Sequence, residues 1–218
     1  MYIAGLTGGI ATGKSTIAGM FREEGAIIVD ADRIAHEVVK KGAPAWKKIK
    51  AHFGDRILLP GGEIDRECLG GIVFHDAQQK ENLNRIVHPF VFRKMEEEIA
   101  HARSVNPRAI VILDVPLLIE TGMHQALPEV ILAYIPENMQ LERLMARDGL
   151  SKGDAEARIR SQMPIDSKKQ MADIVIDNSG SIDATRKRVR DVMAGLHEKA
   201  QAVSSDDPFC LTMPHKDA

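Results

Sequence analysis

Residues 5–16 read GLTGGIATGKST, and no other stretch restricts the fold of this chain as tightly. Gly8, Gly13, Lys14 and Ser15 fit G-x-x-x-x-G-K-[ST] without a mismatch. A short apolar run, Tyr2–Leu6, precedes the motif, and helical spacing over Ser15–Glu24 follows it. That strand–loop–helix setting gives the pattern its chemical meaning. Glycines let the backbone wrap closely and point N–H groups at phosphate oxygens. The helix start adds partial positive charge. The lysine of such a loop reaches the β- and γ-phosphates, and its serine hydroxyl suits a magnesium ion. The expected ligand is a nucleoside triphosphate. Its candidate contacts are Gly8, Gly9, Ala11, Thr12, Gly13, Lys14, Ser15 and Thr16, with Ser15 a magnesium ligand.

Four further apolar runs read as buried strands: Ala26–Val29, Ala109–Leu113, Val130–Tyr134 and Ile174–Ile176. Continuous rather than alternating apolar runs suit a parallel sheet covered on both faces. Helical spacing recurs between them, including Met139–Arg147 and Ile182–Ala200. Strands alternating with helices predict right-handed crossovers and a three-layer α/β sandwich with a five-stranded parallel sheet, of the phosphate-loop NTPase type.

The spacing breaks down twice. About eighty residues separate Val29 from Ala109, far more than one crossover needs. They read as helices near Ala31–Lys40, Ala45–His52, Arg66–Phe74 and Ala77–Ser104, with Pro89 kinking or restarting the last. The second break, RDGLSKGDAEARIRSQM, is polar with four basic residues. It is either a solvated helical hairpin or a mobile lid. The expected organisation is a nucleotide-binding core (1–30, 105–137 and 164–202), a helical acceptor insertion (31–104), a lid (138–163) and a flexible tail (203–218).

Composition removes other classes. Lys and Arg total 29 against 31 Asp and Glu, a net charge of −2, so a broad nucleic-acid surface is not expected. No run of 18 apolar residues occurs, so no membrane span is expected. The opening residues lack a signal-peptide pattern. Cys68 and Cys210 are far apart and without metal-ligand spacing, which suits free thiols in a reducing cytoplasm. Sequence does not fix the oligomeric state; a monomer is the expectation.

The segment AIVILDVPLLIE ends a strand with Asp114, where an open α/β sheet binds ligands and a carboxylate can hold magnesium through water; the other reading is a strand-end cap. Val115 follows rather than a glutamate, against a motor ATPase, and no N-K-x-D stretch supports guanine recognition. A small-metabolite kinase fits better. In VDADRIAHEV, Asp30 and Asp32 follow the second strand. Asp32 is the candidate base for an acceptor hydroxyl, with Asp30 a partner, unless both only cap the next helix.

GLTGGIATGKST, VDADRIAHEVV, IVHPFV, LDVPLLIETG and RLMARDGLSKGDAEARIRSQM followed by ADIVIDNSG occur in one order. In this the chain resembles the dephospho-CoA kinases from Tyr2 to about Leu196. Ala11 and Thr12 depart from the glycine and serine often found there. The resemblance implies ATP-dependent phosphorylation of the ribose 3′-hydroxyl of dephospho-coenzyme A, and puts Asp32 at the position of the catalytic base. The alternatives are a kinase for a nucleoside or nucleoside monophosphate, and a non-catalytic ATP-binding switch. Arg147 is the preferred lid cation, catalytic on the transferring group, and Arg143, one turn earlier, is the alternative and a nucleotide contact. His88 either touches the acceptor or is structural. Leu117, Leu118 and Glu120 are candidate pocket residues, the leucines equally core. Asn178 lies where an adenine-facing loop is expected.

Overall fold

The computed structural model describes residues 1–202; the expected tail at 203–218, with Cys210, lies outside the described residues. Five strands, β1 (Tyr2–Gly8), β2 (Ile27–Asp30), β3 (Ile110–Asp114), β4 (Val130–Tyr134) and β5 (Ile174–Asp177), form one sheet in the order β2-β3-β1-β4-β5. Every pairing is parallel. This is the sheet the apolar runs predict. β1 extends two residues past Leu6, because Thr7 and Gly8 keep pairing with Leu132 and Ala133.

Helices α1 (Lys14–Glu23) and α9 (Ile182–Ala202) cover one face. Tyr2, Ala4 and Leu6 of β1, Ile110 and Ile112 of β3, and Ile131 and Ala133 of β4 point into the core beneath them, with Ile17, Phe21, Val189 and Met193 opposite. The alternation follows from the two-residue period of a strand. On the other face Gly5 lies directly under Leu118 and Leu127, where any side chain would collide. The segment carrying those leucines, with a short 3-10 turn at Met123–Ala126, leads into β4. Three helices complete this part: α6 (Glu137–Asp148), α7 (Lys152–Arg160) and α8 (Ile165–Met171). The sequence reading does not anticipate α8, whose IDSKKQM is too short and polar to show a period.

The chain divides into two units, residues 1–30 with the described chain from Ile99 onward, and residues 31–98. The second unit contains α2 (Ala31–Val38), α3 (Pro44–Phe53), α4 (Arg66–His75) and most of α5 (Ala77–Val105). Its own core gathers Ile49, Phe53, Ile57 and Leu69, with Leu83, Ile86 and Val87 packed on them. α5 does not restart at Pro89; it is helical on both sides of it. A mid-helix proline costs about 3 kcal/mol, which burial of Ile86 and Val87 before it and Met95 and Ile99 after it offsets. Among the described residues no helix is long and apolar enough to cross a membrane.

Candidate active site

The glycine-rich loop leaves β1 and enters α1 through two left-handed residues. Gly13, at φ 82°, is the N-cap. Ala11, at φ 60°, is the single non-glycine residue with positive φ among those described. The loop is held by its carbonyls. Gly9 O accepts from the Thr12 hydroxyl at 2.9 Å, Ile10 O from Gln140 Nε2 at 2.9 Å, and Thr12 O from Asn178 Nδ2 at 2.8 Å. Gly8 O faces Lys168 Nζ at 3.3 Å. With these acceptors turned onto protein donors, loop amides other than those of Ile10 and Thr12, together with the first-turn donors of α1, remain for an anion. A Cβ at Gly9 would press on Gln140 Nε2 and one at Gly13 on Asn178 Nδ2, so a side chain at either position would displace an amide that holds the loop.

Lys14 opens α1 and forms an ion pair with Asp114, the last residue of β3. Asp114 is only 5% exposed, and the Lys14 ammonium offsets the cost of burying its charge. Asp30, ending β2, is in register with Asp114, so two carboxylates sit on neighbouring strands at the carboxyl edge of the sheet. Ser15 and Thr16 are exposed on the first turn of α1.

Asn178 is placed by β5 at the back of the loop rather than on an open surface. Its side chain is buried between Thr12 O and the Thr185 hydroxyl, which donates to Oδ1 at 3.0 Å. Its backbone carbonyl accepts from Arg143 Nη2 at 2.9 Å. The amide therefore braces the loop, and Arg143 approaches through the same residue. Arg147, at the exposed end of α6, donates to Asp148 at 2.7 and 3.0 Å, and Arg158 of α7 reaches Asp148 at 3.2 Å. The Arg147 hydrogen bond, ahead of any other influence, holds the Asp148 carboxyl below its ordinary range.

Two features escaped the sequence reading. Gln162, between α7 and α8, accepts from Ile10 N at 3.0 Å. With Gln140 on Ile10 O, α6 and the α7–α8 connection grip one loop residue. Lys168 of α8 is wholly buried and pairs with Glu120 at 2.6 Å. Glu120 Oε1 also meets Met163 N at 3.4 Å, whereas Oε2 is buried with no partner. The one available signal for Lys168 is its three-residue spacing from buried Ile165.

Leu118 is fully buried beneath Gly5 and belongs to the core, while Leu117 is 43% exposed. Asp32 stands in the first turn of α2, two residues beyond the end of β2, and is exposed. His88 is exposed on α5, edge-on to Phe92. Asp32 and His88 belong to the second unit.

A phosphate loop at the end of the central strand of this parallel sheet, with a buried acid on the neighbouring strand, defines the class: a phosphate-loop nucleotide-binding protein. Known proteins narrow it. The dephospho-CoA kinase family model matches residues 2–184, and the chain belongs to that family. Dephospho-CoA kinase of Moorella thermoacetica is 44% identical over 208 residues, covering 95% of this chain and 96% of that protein. That of Oryza sativa subsp. japonica is 46% identical over 198 residues, covering 91% and 86%. The solved structure of dephospho-CoA kinase from Campylobacter jejuni superposes with a TM-score of 0.68 at 32% identity, covering 90% of this chain and 98% of that one.

Proposed function

We propose that this chain transfers the γ-phosphoryl group of ATP directly to the ribose 3′-hydroxyl of dephospho-coenzyme A, giving coenzyme A and ADP without a phosphoenzyme. Family membership across residues 2–184 is the observation that carries the reaction; the loop geometry supports the donor side. Loop amides and Lys14 hold the β- and γ-phosphates and draw charge from the bridge between them. When ATP binds, Lys14 exchanges part of its contact with Asp114 for the phosphates. Ser15 and Asp114 offer the hard oxygen donors that magnesium prefers, and a bound ion would neutralise developing phosphate charge.

Asp32 orients the 3′-hydroxyl and takes its proton. Arg147 or Arg143 then meets charge on the transferring group; such a cation is worth about 4–7 kcal/mol of barrier in comparable enzymes. For Arg147 this requires leaving Asp148, an exposed pair of small net worth. Asn178 and Gln140 act through the loop, as positioning residues. His88, Leu117 and Glu120 are acceptor-side proposals. The chain acts as a monomer in the cytoplasm on this reading, where Cys68, free in the structure, stays reduced.

The reaction is tested by isolating the product and locating its new phosphate by phosphorus NMR. A 3′-phosphomonoester formed only with ATP and dephospho-coenzyme A is expected. Faster transfer to a nucleoside monophosphate in a panel of acceptors would overturn the assignment, and ATP binding without turnover of any acceptor would favour a nucleotide-dependent switch.

A further inference from the structure

The second unit contains a cavity of about 340 Å³ at the end of α2 and the start of α4. Its apolar wall is Val39 and Ile64; its charged groups are Lys40, Lys41, Arg66 and one carboxylate, Glu63, with His36 beside them. Arg66 makes no ion pair among the described residues. Its Nη1 instead donates to His36 Nε2 at 2.8 Å. Lys41 donates to Gly61 O at 2.7 Å, and Lys40 has no ion pair among the described residues. Three basic side chains against one carboxylate, with a guanidinium turned on an imidazole rather than an acid, make a site for an anion with several oxygens.

The helix relates this cavity to the acceptor. Asp32 and His36 are four residues apart on α2, so they share a face, roughly 6 Å apart along the axis. The neighbouring face is closed by Arg33, which pairs with Glu37 and Glu98. Dephospho-coenzyme A carries on one ribose the hydroxyl to be phosphorylated at C3′ and a diphosphate at C5′. Those groups are separated by a span similar to one helical turn, about 5.4 Å. We infer that the cavity binds the 5′-diphosphate of the acceptor through Arg66, Lys40 and Lys41, while Asp32, one turn earlier, meets the 3′-hydroxyl. This rests on the reading of Asp32 given above and adds a positional rule to it: the substrate is measured along α2 from hydroxyl to diphosphate. Glu63 on the same cavity disfavours a larger accumulation of negative charge.

Calorimetric titration of dephospho-coenzyme A without ATP, into wild type, Lys40→Gln, Arg66→Gln and Lys80→Gln, tests the site. Lys80 is an exposed lysine of the same unit outside the cavity. The expected result is a dissociation constant raised tenfold or more by Lys40→Gln and by Arg66→Gln, less than twofold by Lys80→Gln, and largely recovered in Arg66→Lys. The KM for ATP should stay unchanged in all four variants. Unchanged affinity in Lys40→Gln and Arg66→Gln, an equal loss in Lys80→Gln, or no detectable binding to wild type would each overturn the proposal. Lys40 is exposed, so Lys40→Gln keeps the test decisive if Arg66→Gln fails to fold. Failure of the base assignment shows separately: turnover surviving Asp32→Asn removes Asp32 from its role, whereas these titrations measure binding alone.

Discussion

Ala11 holds a backbone conformation that glycine adopts freely and alanine does not, at φ 60°. A left-handed L-residue costs about 1–2 kcal/mol. Glycine gives back roughly 0.5–1 kcal/mol through the freedom it gains in the unfolded chain. Ala11→Gly is therefore expected to stabilise the protein by about 0.5–1 kcal/mol in denaturant titration, with activity retained; a destabilised variant would show that the alanine methyl makes a needed contact. The departure at position 11 was visible in the sequence, but its strain was not, because φ is set by the path the loop must take between β1 and α1. Asn178 is a similar case. Its place after the last strand was legible, yet whether its amide faced a base or the protein depended on Thr12 and Thr185, far from each other in sequence.

At the scale of elements, α6, the connection between α7 and α8, and α8 itself meet the phosphate loop through two glutamines and a lysine. Gln140→Leu keeps the side-chain volume and removes the donor to Ile10 O. One lost hydrogen bond corresponds to about 0.5–1.5 kcal/mol, so kcat/KM for ATP should fall by about tenfold at most while affinity for dephospho-coenzyme A is kept. An unchanged kcat/KM would mean the grip on Ile10 does not position the loop. Lys168→Met leaves Glu120 buried without its cation and should cost about 3 kcal/mol, most of it restored by adding Glu120→Leu. Urea unfolding of the single and double variants checks this, and strict additivity would contradict the pairing. The sheet strands were readable because five apolar runs each have one possible use. Lys168 was not, since a charged heptapeptide looks solvated until a buried carboxylate is known to face it. Pro89 left a kink or a restart open in the sequence, and the helix runs through it without restarting because both sides are packed.

Across the whole molecule, Tyr2 and Lys199 of α9, far apart in sequence, meet at Glu129, which precedes β4 and accepts from Tyr2 at 3.2 Å and from Lys199. Burial first, and the Glu129 carboxylate second, push the Tyr2 phenol up from 10.0 to about 12. Its folded value lies above the unfolded one, so this contribution is complete below pH 10 and is lost as the pH rises to 12. Tyr2→Phe should flatten the stability profile in that window, as followed by melting temperature; an unchanged slope would place the alkaline loss elsewhere. The division of labour is also a whole-molecule property: one unit builds the phosphate loop, and the other holds Asp32 and the cationic cavity. On the proposed mechanism Asp32 serves the acceptor hydroxyl while the loop serves ATP. This assignment is tested most directly by ADP release with ATP, magnesium and dephospho-coenzyme A, in wild type and Asp32→Asn, with ATP affinity measured on both. Acceptor-dependent turnover is expected to fall at least about 100-fold in the variant, with ATP binding intact. Turnover preserved in Asp32→Asn would contradict it.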